Sequence, residues 1–271
     1  MSKILIGADP EVFVSRNGKL VSAHGLIKGS KHDPLKVNRG AVQVDGMALE
    51  FNIDAADSEQ AWMDNINGVM EILASMVPGY KLECIPTAHF GLEYIRAQPE
   101  EAKELGCDPD YNAYTVDVNP RPNGETDIRT GAGHLHFGLP ETGNDAPVND
   151  ADYIAWLAAK VRELDFYLGL PSLFYDGDTR RRELYGKAGA FRPKKYGMEY
   201  RTLSNQWLKD DNLKRWAYKA SMDAMERIER GISLFDKYGD EAQRIVNTSD
   251  KASASRIIKE EGLLLPAGIV L

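Results

Sequence analysis

Apolar and polar positions alternate over residues 3–6 and 12–14, which predicts two strands with a bend or bulge between Gly7 and Pro10. Asn17-Gly18 is a strong two-residue hairpin turn, so residues 19–23 are expected to pair back on the second strand. A polar stretch follows over 28–40, and 47–53 again alternates as a strand. From Ser58 the period becomes helical. Trp62, Ile66, Val69, Met70 and Leu73 form one stripe, with Ser58 as N-cap and Pro78-Gly79 as the stop. Residues 80–86 and 134–139 read as strands, 152–168 as a helix, 176–196 as a basic loop, 198–203 as a strand, and 212–238 as a long helix ending at Gly239.

Strands and helices mix without regular βαβ spacing, so the expected fold class is α+β with a largely antiparallel sheet. No repeat or domain boundary is visible. The expected organisation is one domain over 1–271, with a core at 4–207, a C-terminal helical segment at 208–262 and an apolar tail at 263–271. Residues 99–130 are mostly turn chemistry, and so long a connection suggests a lid or substrate loop. The tail, broken by Pro266, is expected to dock on the body or on a second copy of the chain, giving a homo-oligomer contact.

Composition narrows the function classes. In 271 residues, 33 Lys+Arg against 41 Asp+Glu give a net charge of −8. That disfavours a nucleic-acid partner, which needs a basic footprint, although a local phosphate pocket stays open. The start carries charges and a proline where a signal peptide needs an apolar run, and no stretch approaches ~18 apolar residues, so no membrane partner and a cytoplasmic location are expected. Cys84 and Cys107 cannot form a disulfide framework, and neither sits in a nucleophile motif. Cys84 is expected in the core and Cys107 in loop packing. No G-x-x-x-x-G-K-[ST] or G-x-S-x-G occurs.

The chemistry concentrates on four strands. Alternation puts Asp9 with Glu11, Glu50 with Asn52, His134 with His136, and Glu199 with Arg201, each pair on one face of its strand. An ordinary solvated face carries Thr, Lys, Gln or Ser. Several carboxylates plus a histidine suit a hard divalent ion, Mg2+ or Mn2+, whereas a His-rich set would suit zinc. Arg129, Arg180, Arg181, Arg182, Lys187 and Arg192 supply the complement, since Arg forks and Lys point charges bind phosphate.

The segments GADPEVF (7–13), VDGMALEFNI (44–53), GCDPDYNAY (106–114), RTGAGHLHFG (129–138) and MEYRTLSNQWL (198–208) resemble the phage-type carboxylate–amine ligases. These are type 2 amidoligases of the glutamine synthetase/glutamate–cysteine ligase fold superfamily. The resemblance runs from Ile4 to about Trp207. It implies a curved antiparallel sheet with helices on its outer face, ATP and Mg2+ as cofactors, and amide formation through an acyl phosphate. Small-molecule or peptide carboxylates and amines are the implied partners. The host cytoplasm is the implied location if the gene is phage-borne.

Carried over position by position, Glu11, Glu50, His134 and Glu199 resemble the metal ligands. His136 would face the nucleotide phosphates with Arg129, Arg182, Lys187 and Arg192. Arg201 resembles the arginine that binds the acyl phosphate, and Asn52 joins it in the substrate set. Asp45, Asp9 and Glu50 all qualify as the base that deprotonates the amine, with Asp45, Glu50 and Arg201 as the catalytic set. The first strand departs from the pattern, reading D-P-E where larger ligases carry E-x-E, so Asp9 either replaces that acid or is turned away by Pro10. Two other readings use the same residues: a metal-dependent hydrolase, which needs no ATP, and a degenerate nucleotide- or metal-binding protein.

Overall fold

The computed structural model describes residues 3–103, 110–120 and 126–271. Cys107 and part of the 99–130 connection lie outside these residues. The strands, in chain order, are β1 (Leu5–Ala8), β2 (Glu11–Arg16), β3 (Lys19–Val21), β4 (Leu35–Val37), β5 (Gly40–Asp45), β6 (Ala48–Ile53), β7 (Lys81–Glu83), β8 (Thr87–His89), β9 (Tyr111–Asn112), β10 (Ile128–Thr130), β11 (Leu135–Gly138), β12 (Ala190–Lys194) and β13 (Gly197–Tyr200). Every pairing between them is antiparallel. The expected α+β class with antiparallel pairing holds. The strands are divided between two main sheets, β1-β11-β13-β12-β9 and β3-β2-β6-β5-β4 with β7 added on β2, plus a β8–β10 ribbon.

The division begins at Pro10. Asp9 and Pro10 leave the ladder, so β1 ends in the first sheet and β2 starts in the second. Proline has no N–H to donate, and here it separates two strands that alternation alone would join. The seam is held by the backbone: Glu11 N donates to Ala132 O (2.9 Å), and Phe51 N donates to Pro10 O (3.1 Å). Asn17 and Gly18, both at positive φ (53° and 74°), turn β2 into β3 as their sequence predicts.

Each functional strand buries one face. Leu49, Phe51 and Ile53 of β6, Leu135 and Phe137 of β11, and Met198 and Tyr200 of β13 all enter the main apolar cluster. The helix Glu59–Met76, capped by Ser58 Oγ on Ala61 N, covers β5 and β6 with the predicted stripe. Its Trp62 stacks on Trp207 (centroids 5.5 Å apart) and donates to Lys214 O (2.9 Å). The helix Ala151–Leu164 packs on β12 and β13.

Three elements differ from the sequence reading. The helix Ala151–Leu164 runs on into a π-helical turn, Asp165–Gly169, whose polar first residue is fully buried. The predicted 212–238 helix is two, Asp211–Glu229 and Leu234–Tyr238. Gly231 is left-handed (φ 73°), and Glu163 accepts from Ser233 Oγ and from the Leu234 and Phe235 amides, so a distant buried carboxylate restarts the helix. The basic stretch 176–196 contains β12, in which Ala190 and Phe191 are buried.

At the C-terminus, Leu263 is buried and Leu264 O accepts from Trp216 Nε1 (2.9 Å), so the start of the tail docks on the body. Among the described residues no helix is long and apolar enough to cross a membrane. Cys84 packs against the main core, and burial pushes its thiol up to about 11.

Candidate active site

The polar faces of the two sheets meet along the seam, and the acids there form two clusters. Glu11 on β2 pairs directly with Glu50 on β6, and Glu50 pairs with Gln43 on β5. Asp45, at the end of β5, completes the group. Glu11, Asp45 and Glu50 each offer an oxygen within 4.8 Å of the others. On the other sheet, Gly7, His136, Glu199 and Arg192 lie in one row across β1, β11, β13 and β12. There Asp9, His134 and Glu199 bring ligand atoms equally close. Sequence reasoning gathered Glu11, Glu50, His134 and Glu199 into one set; the fold places two of them in each cluster.

The Gly-Ala-Gly segment before His134 makes the seam tight. A Cβ on Gly133 would run into the Ser204 carbonyl, and one on Gly131 would run into Asn205. Close approach there lets Ala132 N donate to Glu11 Oε2 (2.9 Å) and Trp207 Nε1 donate to Gly133 O (3.0 Å).

The clusters differ in charge balance. Burial, then the Asp45 charge, pushes Glu11 up to about 7. Burial and the charges of Asp9, Asp45 and Glu11 hold Glu50 well above the usual carboxylate range, and burial raises Asp45 as well. Three acids that resist ionising together form a site short of positive charge. All-oxygen donors in this arrangement fit a hard divalent cation such as Mg2+ or Mn2+.

The second cluster is already compensated. Glu199, fully buried, is paired with Arg201, Lys194 (2.7 Å) and Arg192 (3.5 Å). Burial and Asp9 push its carboxyl up, but Arg201, His134 and His136 outweigh them and hold it low. Asp9 Oδ1 lies 3.0 Å from His136 Nε2 and 3.4 Å from His134 Nδ1. Burial opposes its ionisation, and the two histidines reverse that. Burial and Arg201 push His134 down to about 4, so its ring is neutral near pH 7, as a metal ligand requires. His136 is held up by Asp9 against its own burial, and its Nδ1 meets the Tyr196 hydroxyl at 2.5 Å.

Two clefts open on either side of the acids. One is lined by Glu11, Asp45, Arg129, Arg181, Tyr185 and Arg201. The other is lined by Asp9, Glu50, Asn52, His136 and Tyr196. Arg201, buried, donates through Nε to Asp110 Oδ2 (3.0 Å) and stands 3.3 Å from His134 Nδ1, at the junction. Asn52 shares the second cleft with Glu50.

Of the cations expected at phosphate, Arg192 lies beside Glu199, and Arg129 lines the arginine cleft while donating to the carbonyls of Ile128, Thr126 and Lys103. Arg182 turns away to Asp178 O and Ser249 Oγ, and Lys187 is exposed.

Arg181, one of the cations expected at phosphate, also shapes the site, as do Lys194 and Asp165, which sequence reasoning did not assign. Arg181 lines the arginine cleft and donates to the carbonyls of Thr202 and Leu203 (2.8 Å each). Its neighbour Arg182 looked equivalent, and only helical register separates them. Lys194 follows Arg192 by two on β12, a spacing that names it once the strand is recognised. Asp165, beneath the strand, accepts from Tyr200 (2.7 Å), Tyr114 (3.0 Å) and Thr202 (3.1 Å). It carried no sequence signal beyond an acid in an apolar helical stripe.

The site thus sets a cluster of half-buried carboxylates beside an arginine-lined cleft. Residues 129–230, which contain both histidines, Glu199 and Arg201, match the family model of the phage phiEco32-like COOH.NH2 ligase-type 2 proteins. Over that segment the chain is similar to a family of carboxylate–amine ligases. No curated protein matches the chain.

Proposed function

We propose that this chain is an ATP- and Mg2+-dependent ligase that joins a carboxylate to an amine through an acyl phosphate, on a catalytic fold of the glutamine synthetase/glutamate–cysteine ligase type. The observation that carries this reading is the undercompensated Glu11/Asp45/Glu50 triad, of which Glu11 and Asp45 line a cleft walled by Arg129, Arg181 and Arg201. Such a cleft suits a polyphosphate, and the triad suits the cation that travels with it.

The reaction needs two anions brought together. A substrate carboxylate oxygen attacks the terminal phosphorus of ATP, the bond to the bridging oxygen breaks, and ADP leaves. The amine then attacks the acyl carbon, the bond to the phosphoryl oxygen breaks, and phosphate leaves. The nitrogen gives up a proton to a carboxylate at the junction, where Asp9, Asp45 and Glu50 all stand. Arg201, held by Glu199 and Asp110, faces the place where charge builds up in both steps. Mg2+ held by Glu11, Asp45 and Glu50 would offset phosphate charge. His134 and Glu199 with Asp9 form a second donor set for such an ion. His136 and Arg192 lie close enough to that set to meet a phosphate, whereas Arg182 and Lys187 serve the surrounding loop. A small-molecule or peptide pair of substrates, acting in the cytoplasm, accords with this reading.

The test is ADP release by the whole chain with Mg2+-ATP, a panel of carboxylates and hydroxylamine as the amine. Hydroxamate formed in step with ADP supports the ligase. Product formed without ATP would favour the hydrolase, and no heat on titrating Mg2+-ATP would leave neither nucleotide reading standing.

A further inference from the structure

The two clefts that meet at the acids differ in their charged linings. Arg129, Arg181 and Arg201 line the first. Among the described residues lining the second there is no Lys and no Arg; its polar groups are Asp9, Glu50, Gln43, Asn52, Asn144 and Tyr196, with His136 already paired to Asp9. Leu5, Ala8 and Ile53 form an apolar strip along the same cleft. The cavity volume is about 570 Å3, far more than ammonia needs.

We infer that this second cleft is the amine-substrate site, and that it selects an extended primary amine whose body carries no carboxylate, such as a diamine or the side-chain amine of a basic residue. This rests on the ligase reading above and names the amine it would take. An ammonium group entering here meets Asp9 and Glu50, and its methylene stem lies on the apolar strip, as snorkelling cations do elsewhere. A carboxylate on the same molecule would face Asp9 and Glu50 with no Lys or Arg lining the cleft to receive it, and a charge without a partner in a partly desolvated cleft is costly. Mg2+ among Glu11, Asp45 and Glu50 does not reverse this, because Asp9 lies outside that set. Gln43, Asn52, Asn144 and Tyr196 add neutral hydrogen-bonding groups that orient an amine without a countercharge. Selection therefore works by exclusion as much as by attraction.

The experiment uses the whole chain and three four-carbon amines: 1,4-diaminobutane, n-butylamine and 4-aminobutyrate. Each is titrated by calorimetry at fixed ionic strength, with and without Mg2+, beside a separate titration of Mg2+-ATP. The expected order is diaminobutane, then butylamine, then aminobutyrate, with at least tenfold between the first and the last. Asn52 is exposed on the cleft wall, so Asn52→Lys should keep the fold, checked by its thermal melt, and should narrow or reverse that preference. Equal affinities in the wild type, or no amine binding where Mg2+-ATP binds, would overturn the inference and leave the ligase reading intact. Loss of Mg2+-ATP binding with the amine order preserved would instead remove the ligase reading.

Discussion

Glu11 and Glu50 are direct cross-strand partners on β2 and β6, two carboxylates facing each other where a sheet ordinarily places opposite charges. The pairing makes sense when a cation joins them, and it fixes how stability must respond to pH and metal. Burial and Asp45 raise Glu11 from 4.5 to about 7 in the folded chain, so the folded state keeps a proton that the unfolded chain has lost. Stability from this group is full below about 4.5 and declines as pH rises through 7, by on the order of 1–3 kcal/mol. Thermal melts in chelator should therefore fall between pH 5 and pH 8, and Mg2+ should restore much of the loss at pH 8. A metal-independent profile would contradict the triad as a cation site.

The second cluster predicts the opposite limb. Asp9 and Glu199 are held low by the histidines and Arg201, so their contribution is present above the ordinary carboxylate range and lost as pH falls through it. Melts should drop steeply on acidification below about pH 4. Asp9→Asn should blunt that limb while leaving the Mg2+ response in place.

Replacing Glu50 by Gln removes one member of the repelling triad and keeps its size. In chelator the variant should be as stable as the wild type or more so, by about 1 kcal/mol. Its melting temperature should no longer rise with Mg2+, and ADP release should fall by at least a hundredfold. Full ADP release by Glu50→Gln would remove this residue from the site.

Arg201 is tied to both Glu199 and Asp110, and truncating it takes the guanidinium from Asp110 and one of three cations from Glu199. Arg201→Ala should cost about 3–5 kcal/mol, the range for breaking a buried pair from one side. Arg201→Lys keeps the charge without the fork, so denaturant melts should show most of the stability retained while turnover falls by about a hundredfold.

Asp165 lies beneath β13, whose Tyr200 donates to it. Burial pushes its carboxyl up to about 7 while Tyr200, Tyr114 and Thr202 donate to it. Asp165→Ala takes the acceptor from the Tyr200 and Tyr114 hydroxyls, while Thr202 keeps Lys187 O, and should destabilise by about 2–4 kcal/mol. Tyr200→Phe removes one of the three and should cost about 1 kcal/mol. If Asp165 places Arg201, the Tyr200→Phe variant should lose kcat with KM for ATP little changed.

What the chain reveals before folding follows from range. The Asn17-Gly18 turn, the Ser58 cap and the alternation on β6, β11 and β13 are local, and each was readable because a half-buried strand or a capped helix writes its own period. The partition of the acids was not readable. Asp9 and Glu11 share a parity, yet Pro10 ends the ladder between them and sends them to different sheets. β12 hid behind a basic composition, because Arg192 and Lys194 balance Glu199 across the sheet instead of facing solvent. Arg181 and Arg182 differ only in which side of a short helix they occupy, a fact decided by the carbonyls of 202 and 203. The break at 230–233 depends on Glu163, some seventy residues away in sequence.

Pro10 has a last consequence. Asp9 belongs to one cluster, Glu11 to the other, and a single residue separates them, pinned at the seam by its carbonyl on Phe51 N. The interval between the two halves of the site is therefore set by covalent bonds, as by a short ruler, and only secondarily by how the sheets pack. The helices of residues 211–261 can drift in sequence and shift in packing without altering that interval. One residue inserted or deleted beside Pro10 would change it at once, while leaving nearly every core contact in place.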